Sequence, residues 1–172
     1  YNKMMKDLIV ALKANGPRIK PKVRLLYTGG HADNPEFFEL LQQNDAHVVS
    51  DNTGFGTRAA DVLICEDGDP LEAIINYYFE EKPAATRQMG TQVERMERLL
   101  DLVKQYKADG VVASRLYMCD LWAFEHFLMR KRLHENNVPF LELEVDYTPE
   151  GQGQIKTRVQ AFVESLADRQ TA

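Results

Sequence analysis

The 172-residue sequence predicts an α/β fold: an open, four-stranded parallel sheet with helices on both faces. Three observations lead there. Short apolar runs at 23–28, 46–50, 111–114 and 139–145 have the length and β-branched content of buried strands. Stretches with helical spacing of apolar residues separate them, so strands and helices alternate. Glycine, proline and Asx residues mark the joints.

The elements follow in order. The chain opens on Tyr1 and runs directly into the amphipathic stretch from Met4 to Leu12, a helix that ends near Gly16 and Pro17. Such an opening is expected of a domain cut from a longer protein, so residues 1–172 are read as a single α/β domain, the carboxyl-terminal domain of a longer subunit. Val23 to Thr28 is the first strand, leaving through Gly29 and Gly30. Asn34 and Pro35 begin a helix with Phe37, Phe38, Leu40 and Leu41 on its apolar face. Ala46 to Ser50 is the second strand. Pro70 opens a helix reaching Phe79, and 90–107 forms a longer one with Val93, Met96, Leu99, Leu100 and Val103 at helical spacing. Asp109 and Gly110 stop it. Val111 to Ser114 is the third strand, 120–136 a helix, Pro139 to Val145 the fourth strand and 154–168 the last helix. Right-handed crossovers make a flavodoxin-like or Rossmann-like layer the simplest topology.

Composition narrows the function. With 44% hydrophobic and 27% charged residues the chain reads as globular. A net charge of −5 argues against a nucleic-acid grip, which needs clustered cations. The Arg130-Lys131-Arg132 run is read as a solvated helix face. No apolar run reaches the ~20 residues of a membrane span, and no signal-peptide pattern opens the chain. Two cysteines, Cys65 and Cys119, do not make a disulfide framework, so a reducing, cytoplasmic setting is expected.

Few residues stand out as chemistry. Gly29-Gly30 and Gly54-Phe55-Gly56 each follow a strand, but neither is a dinucleotide fingerprint or a P-loop; both suit tight strand exits. His31 follows the first of these turns and is a candidate site residue. His47, His126 and His134 are read as surface residues, with no zinc set around them. No nucleophile elbow is present, and Glu142 and Glu144 share one side of a strand without a clear catalytic partner. Cys65, inside an apolar run, is expected to be a small buried hydrophobe. Cys119 differs, because a strand delivers it to a helix start at the carboxyl side of the sheet, where ligands and thiolates are commonly held. Metal ligation, capping and burial all remain open for a lone thiol, since a cluster needs several.

Longer spaced sets carry more. Arg115-x-x-x-Cys119-Asp120-Leu121-Trp122-Ala123-Phe124-Glu125 is followed by Val138-Pro139, Glu144-x-Asp146-Tyr147, and then Gly153-Gln154-x-x-Thr157-Arg158-x-x-Ala161-Phe162. Together with Asp69-Pro70-Leu71-Glu72-Ala73 and 51–58, this resembles the 2-hydroxyacyl-CoA dehydratase and benzoyl-CoA reductase family over roughly residues 20–166. The resemblance implies one subunit of an oxygen-sensitive acyl-CoA enzyme. Its apparatus would be a [4Fe-4S] cluster, a related second subunit and an ATP-hydrolysing iron–sulfur activator. An acyl-CoA thioester is the substrate, reduced by one electron to a ketyl radical. It further implies that Cys119 is a cluster ligand and that Arg58, Gln154 and Arg158, with His31, are candidates for the loops around cluster or substrate. Capping and surface pairing are the competing roles for those polar residues. Trp122, Phe124 and 159–162 lean toward the reductase side. One position departs: the family pattern Asp-x-x-Cys-x-Gly-Ser/Thr-Arg reads Asp51-Asn52-Thr53-Gly54-Phe55-Gly56-Thr57-Arg58 here, with Gly54 in place of cysteine. That departure raises a second expectation, a non-catalytic partner subunit without its own cluster. An unrelated flavodoxin-like nucleotide binder is the third.

Overall fold

Every residue of strand β1 (Val23–Gly29) except Arg24 is buried, as expected for a strand covered on both faces. The structure, a computed structural model, describes residues 1–16, 19–30, 34–43, 45–146 and 152–171. β1 pairs in parallel with β2 (Ala46–Asn52) on one side and with β3 (Gly110–Leu116) on the other; β4 (Phe140–Val145) pairs in parallel with β3. The order is β2-β1-β3-β4. The chain thus adopts the predicted α/β class, with a switch point between β1 and β3 where successive connections leave in opposite directions.

Six α-helices accompany the sheet: α1 (Asn2–Asn15), α2 (Pro35–Leu41), α3 (Pro70–Asn76), α4 (Gln92–Gln105), α5 (Asp120–Glu135) and α6 (Gln152–Thr171). Side-chain alternation along the strands sorts the core into two layers. Leu25, Tyr27, Val112 and Leu143 face α6, with Phe37 and Phe38 of α2 packed beside them. Leu26, Val111 and Ala113 face α4 and α5, meeting Leu99, Leu100 and Leu133. Full burial of each such side chain contributes about 1.5–3 kcal/mol.

Local chemistry sets the element ends. Asn34 accepts from the Glu36 N–H (2.9 Å) and Asp69 from those of Leu71 and Glu72 (2.8 and 3.1 Å), each just before a proline at the first helical position. The Arg24 guanidinium donates to the Tyr106 and Lys107 carbonyls (2.8–3.1 Å), satisfying the exposed end of α4 and fixing it to β1. Gly110 lets α6 approach closely: a Cβ there would lie 2.8 Å from the Phe162 ring and 2.9 Å from Leu166, so one of them would have to shift.

Several expectations need correction. β2 continues two residues past Ser50, to Asn52, and carries Val49 as an extra residue in its pairing with β1. The helix expected through Phe79 widens after Asn76 into a π-helical turn, Tyr77–Glu81, pinned by the Tyr77 hydroxyl donating to the Ala59 carbonyl (3.0 Å). Cys65 is exposed rather than buried: the apolar run 62–65 joins no strand, and Leu63 beside it is also exposed. His126 is fully buried rather than a surface residue. It falls on the same stripe of α5 as Met129 and Leu133, and its ring packs edge-on against Trp122 (6.0 Å) and Phe140 (6.3 Å). α1 has no buried residue, its apolar side chains Met4, Leu8, Ile9 and Leu12 all remaining exposed. No helix among the described residues is long and apolar enough to cross a membrane.

Candidate functional site

At the switch point β1 and β3 lie side by side, and the carboxyl edge there is where open α/β sheets generally hold ligands. Cys119 stands at that edge. After β3 ends at Leu116, Met118 turns the chain through φ 61°, and Cys119 adopts the extended conformation (φ −86°, ψ 92°) that opens α5. Its carbonyl accepts from the Ala123 N–H (2.9 Å), while its side chain makes no capping hydrogen bond. The residue is half-buried. The thiol is therefore neither sealed in hydrocarbon nor tied into the first turn of the helix. The neighbouring sequence carries exposed apolar side chains: Tyr117, Met118, Leu121 and Phe124.

The loop after β2 leaves from the same, carboxyl edge of the sheet. The Asp51 carboxylate accepts from the N–H and hydroxyl of Thr53 (2.9 and 2.6 Å) and from those of Thr57 (3.2 and 3.0 Å). Burial alone would raise its pKa; these hydrogen bonds outweigh that and hold it below the ordinary carboxylate value. The loop wraps so tightly that a Cβ at Gly56 would collide with the Asp51 carboxylate. Gly54 at the tip of the same loop has the Arg58 guanidinium above it, 3.3 Å from where a Cβ would stand.

Arg58 itself lines a small, mixed pocket on the α4/α5 face with Thr28, Asn52, Arg98, Trp122, Glu125 and Met129. Burial first, then the neighbouring Arg98 and Arg95 guanidiniums, depress its pKa. Behind it lies a buried pair that sequence reasoning missed. The Arg95 fork holds the Glu125 carboxylate through Nε (2.7 Å) and Nη2 (2.8 Å), both side chains almost fully buried. No local signal marked the pair, because the apolar residues of α5 define no single face and the two charges lie 30 positions apart.

The other candidates lie elsewhere. Arg158 donates to the Glu142 carbonyl (2.7 Å), covering a main-chain acceptor on β4, the outer strand. Gln154 is exposed in the first turn of α6. His31 lies outside the described residues. The Glu142 carboxylate is held by Arg130, by His126 (3.4 Å) and by Arg115 (3.7 Å). Arg58 lines its pocket together with Trp122 of α5, three residues beyond Cys119, but Cys119 itself is not among the lining residues.

A [4Fe-4S] cluster demands four ligands, ordinarily thiolates. Among the described residues no three His, Cys, Asp or Glu side chains form a metal-binding group. Cys65 belongs to an exposed loop, its sulfur near the Asp67 carbonyl (3.8 Å). These residues do not by themselves fit the cluster; the chain offers one thiol at the rim.

An open parallel α/β sheet with a cysteine at its carboxyl edge defines a broad class of ligand-binding domains. Comparison with known proteins narrows it: the sequence matches the 2-hydroxyglutaryl-CoA dehydratase D-component family over residues 1–166, and the chain belongs to that family. YjiM of Escherichia coli (strain K12), which carries only a provisional dehydratase-subunit name, is 29% identical over 88% of this chain and 39% of its own length. The (R)-phenyllactyl-CoA dehydratase beta subunit of Clostridium sporogenes is 24% identical over 96% of this chain and 44% of its own. One of the benzoyl-CoA reductase subunits of Thauera aromatica is 20% identical over the same shares. The chain spans about two fifths of the length of these curated relatives.

Proposed function

We propose that this chain is the carboxyl-terminal α/β domain of one subunit of an acyl-CoA dehydratase or reductase, and that Cys119 contributes one thiolate to an iron–sulfur cluster completed from outside these residues. The observation that carries this reading is the half-buried thiol at the carboxyl edge, uncommitted to its own helix, in a chain belonging to a family of such subunits. The dehydratase relatives named above are more similar to this chain than the reductase relative, which favours a 2-hydroxyacyl-CoA substrate over an aromatic one. A related second subunit and an electron-donating, ATP-hydrolysing activator complete the proposal, the former in keeping with relatives named as beta subunits.

This chain's own contribution is limited and concrete. It places a half-buried sulfur at the start of α5, close in sequence to exposed apolar side chains, and its β2 loop holds Arg58 in a pocket that Trp122 of α5 also lines. In such enzymes the cofactor supplies the redox chemistry and the protein binds, orients and shields. Anaerobic purification of the full-length subunit tests the reading. Iron and sulfide near four per subunit are expected, with loss of both in Cys119→Ser.

One observation favours a second reading, a partner subunit that keeps the fold without a cluster. Where the family pattern places cysteine, this chain has Gly54 with the Arg58 guanidinium over it, so a cation fills space that a ligand side chain would use. Metal-free protein that still pairs stably with a homologous subunit would support that reading instead.

A further inference from the structure

The two outer strands of the sheet, β2 and β4, present different edges. β2 carries the extra residue Val49, an irregularity that blunts an edge. β4 pairs with β3 without a break over all six of its residues. The Val111 N–H donates to the Pro139 carbonyl and the Tyr117 N–H to the Val145 carbonyl (both 2.9 Å), so the odd-numbered residues of β4 commit their main chain to β3. Phe140, Glu142 and Glu144 therefore turn their N–H and carbonyl groups outward. Of those groups the Glu142 carbonyl alone finds a protein partner among the described residues, the Arg158 guanidinium (2.7 Å).

This edge opens into a groove of about 700 Å3, lined from α5 by Arg130 and His134 and from α6 by Arg158 and Arg169. The pleat sorts its charges. The Glu142 and Glu144 side chains share the α5 side with Phe140, and each is already held: Glu142 by Arg130, with His126 3.4 Å away, and Glu144 by Arg115. Leu141, Leu143 and Val145 take the α6 side. Positive charge is left over there. Arg169 carries no hydrogen bond or ion pair among the described residues, and Arg158 meets only a neutral carbonyl. The two lie about three helical turns apart on one side of α6, roughly 16 Å along its axis.

We infer that the β4 edge accepts an extended acidic segment of another polypeptide as a fifth strand, its carboxylates at alternate positions facing Arg158 and Arg169 and its apolar side chains on the Phe140 side. An N–H of the added strand takes the Glu142 carbonyl and frees the Arg158 guanidinium for a carboxylate, which accepts more strongly. Main-chain pairing supplies the affinity of such strand addition and the alternating side chains its specificity. A second copy of this chain does not suit the edge. An antiparallel two-fold pairing of β4 with itself would set Glu142 and Glu144 against the same residues of the other copy on one face, where like charges repel. The inference does not rest on the cluster assignment, because none of these residues is proposed as a metal ligand.

Fluorescence anisotropy of the full-length subunit tests it, with a labelled peptide of alternating glutamate and valine, about eight residues long so as to span β4. Saturable binding is expected. N-methylating a pair of adjacent central residues keeps every side chain and removes main-chain donors; exchanging glutamate for lysine reverses the charge. Either change should weaken binding by roughly tenfold or more. Arg158 and Arg169 are both exposed, so their variants should fold, as circular dichroism would confirm. Arg158→Gln and Arg169→Gln should each weaken binding by about tenfold, as loss of one charge-assisted hydrogen bond does. Absence of saturable binding, equal binding of the N-methylated or the lysine peptide, or undiminished binding to both folded variants would each overturn the inference.

Discussion

Glu125 is 4% exposed and meets only one cation directly among the described residues, so its fate depends on Arg95. Removing one partner leaves a buried charge uncompensated, at a cost of about 3–5 kcal/mol. Glu125→Ala should lose that much in urea denaturation, whereas the double variant Arg95→Met/Glu125→Met should recover most of it. His126 gives a pH signature. Burial lowers its pKa below 6.5, opposed by Glu142 and assisted by Arg115 and Arg130. The unfolded chain therefore takes up a proton before the folded one does. The stability tied to neutral His126 is complete above pH 6.5 and declines as pH falls from there toward the folded-state value. Urea midpoints at pH 8 and pH 5 should differ less in His126→Phe than in the wild type. Neither residue was legible as part of a core. A histidine or glutamate on an apolar stripe looks like surface until its partner on another helix is known, and Arg95 lies 30 positions from Glu125.

At the scale of elements, close approach governs. Gly110→Ala would press a methyl group against Phe162 and should destabilise by about 1–3 kcal/mol. The β2 loop depends on Asp51. Its folded pKa lies below 3.8, so the stability it contributes is complete above that pH and is lost as pH falls through the folded value. Amide exchange at Thr53 and Thr57 should accelerate in Asp51→Asn, even at neutral pH, because the substitution weakens four hydrogen bonds at once. Most elements were readable from the sequence, since Pro35, Pro70, Gly110 and the period of apolar residues act locally. The failures were tertiary. The run 62–65 has strand composition but pairs with neither edge strand, β2 or β4, so Cys65 faces solvent. β2 outruns its apolar segment because Asp51 and Asn52 find partners only in the folded loop and sheet.

Across the whole molecule, the sheet order brings the ends of β1 and β3 together and presents Cys119 at their rim. Strand–helix alternation made the topology legible, and spaced motifs made the family legible. The surroundings of Arg58 were not, because Arg58, Arg98 and Asn52 converge from three separate elements. Exposed apolar side chains beside Cys119 and along α1 lie on a chain that spans about two fifths of its relatives. Iron loading of the full-length subunit should therefore change the chemistry of one cysteine and leave the other alone. The most direct measurement is alkylation under anaerobic conditions, followed by mass spectrometry, before and after reconstitution with iron and sulfide. Cys119 should be modified in the metal-free protein and protected once iron is bound, while Cys65 is modified in both. Equal modification of Cys119 in the two states, with iron demonstrably bound, would contradict its assignment as a ligand.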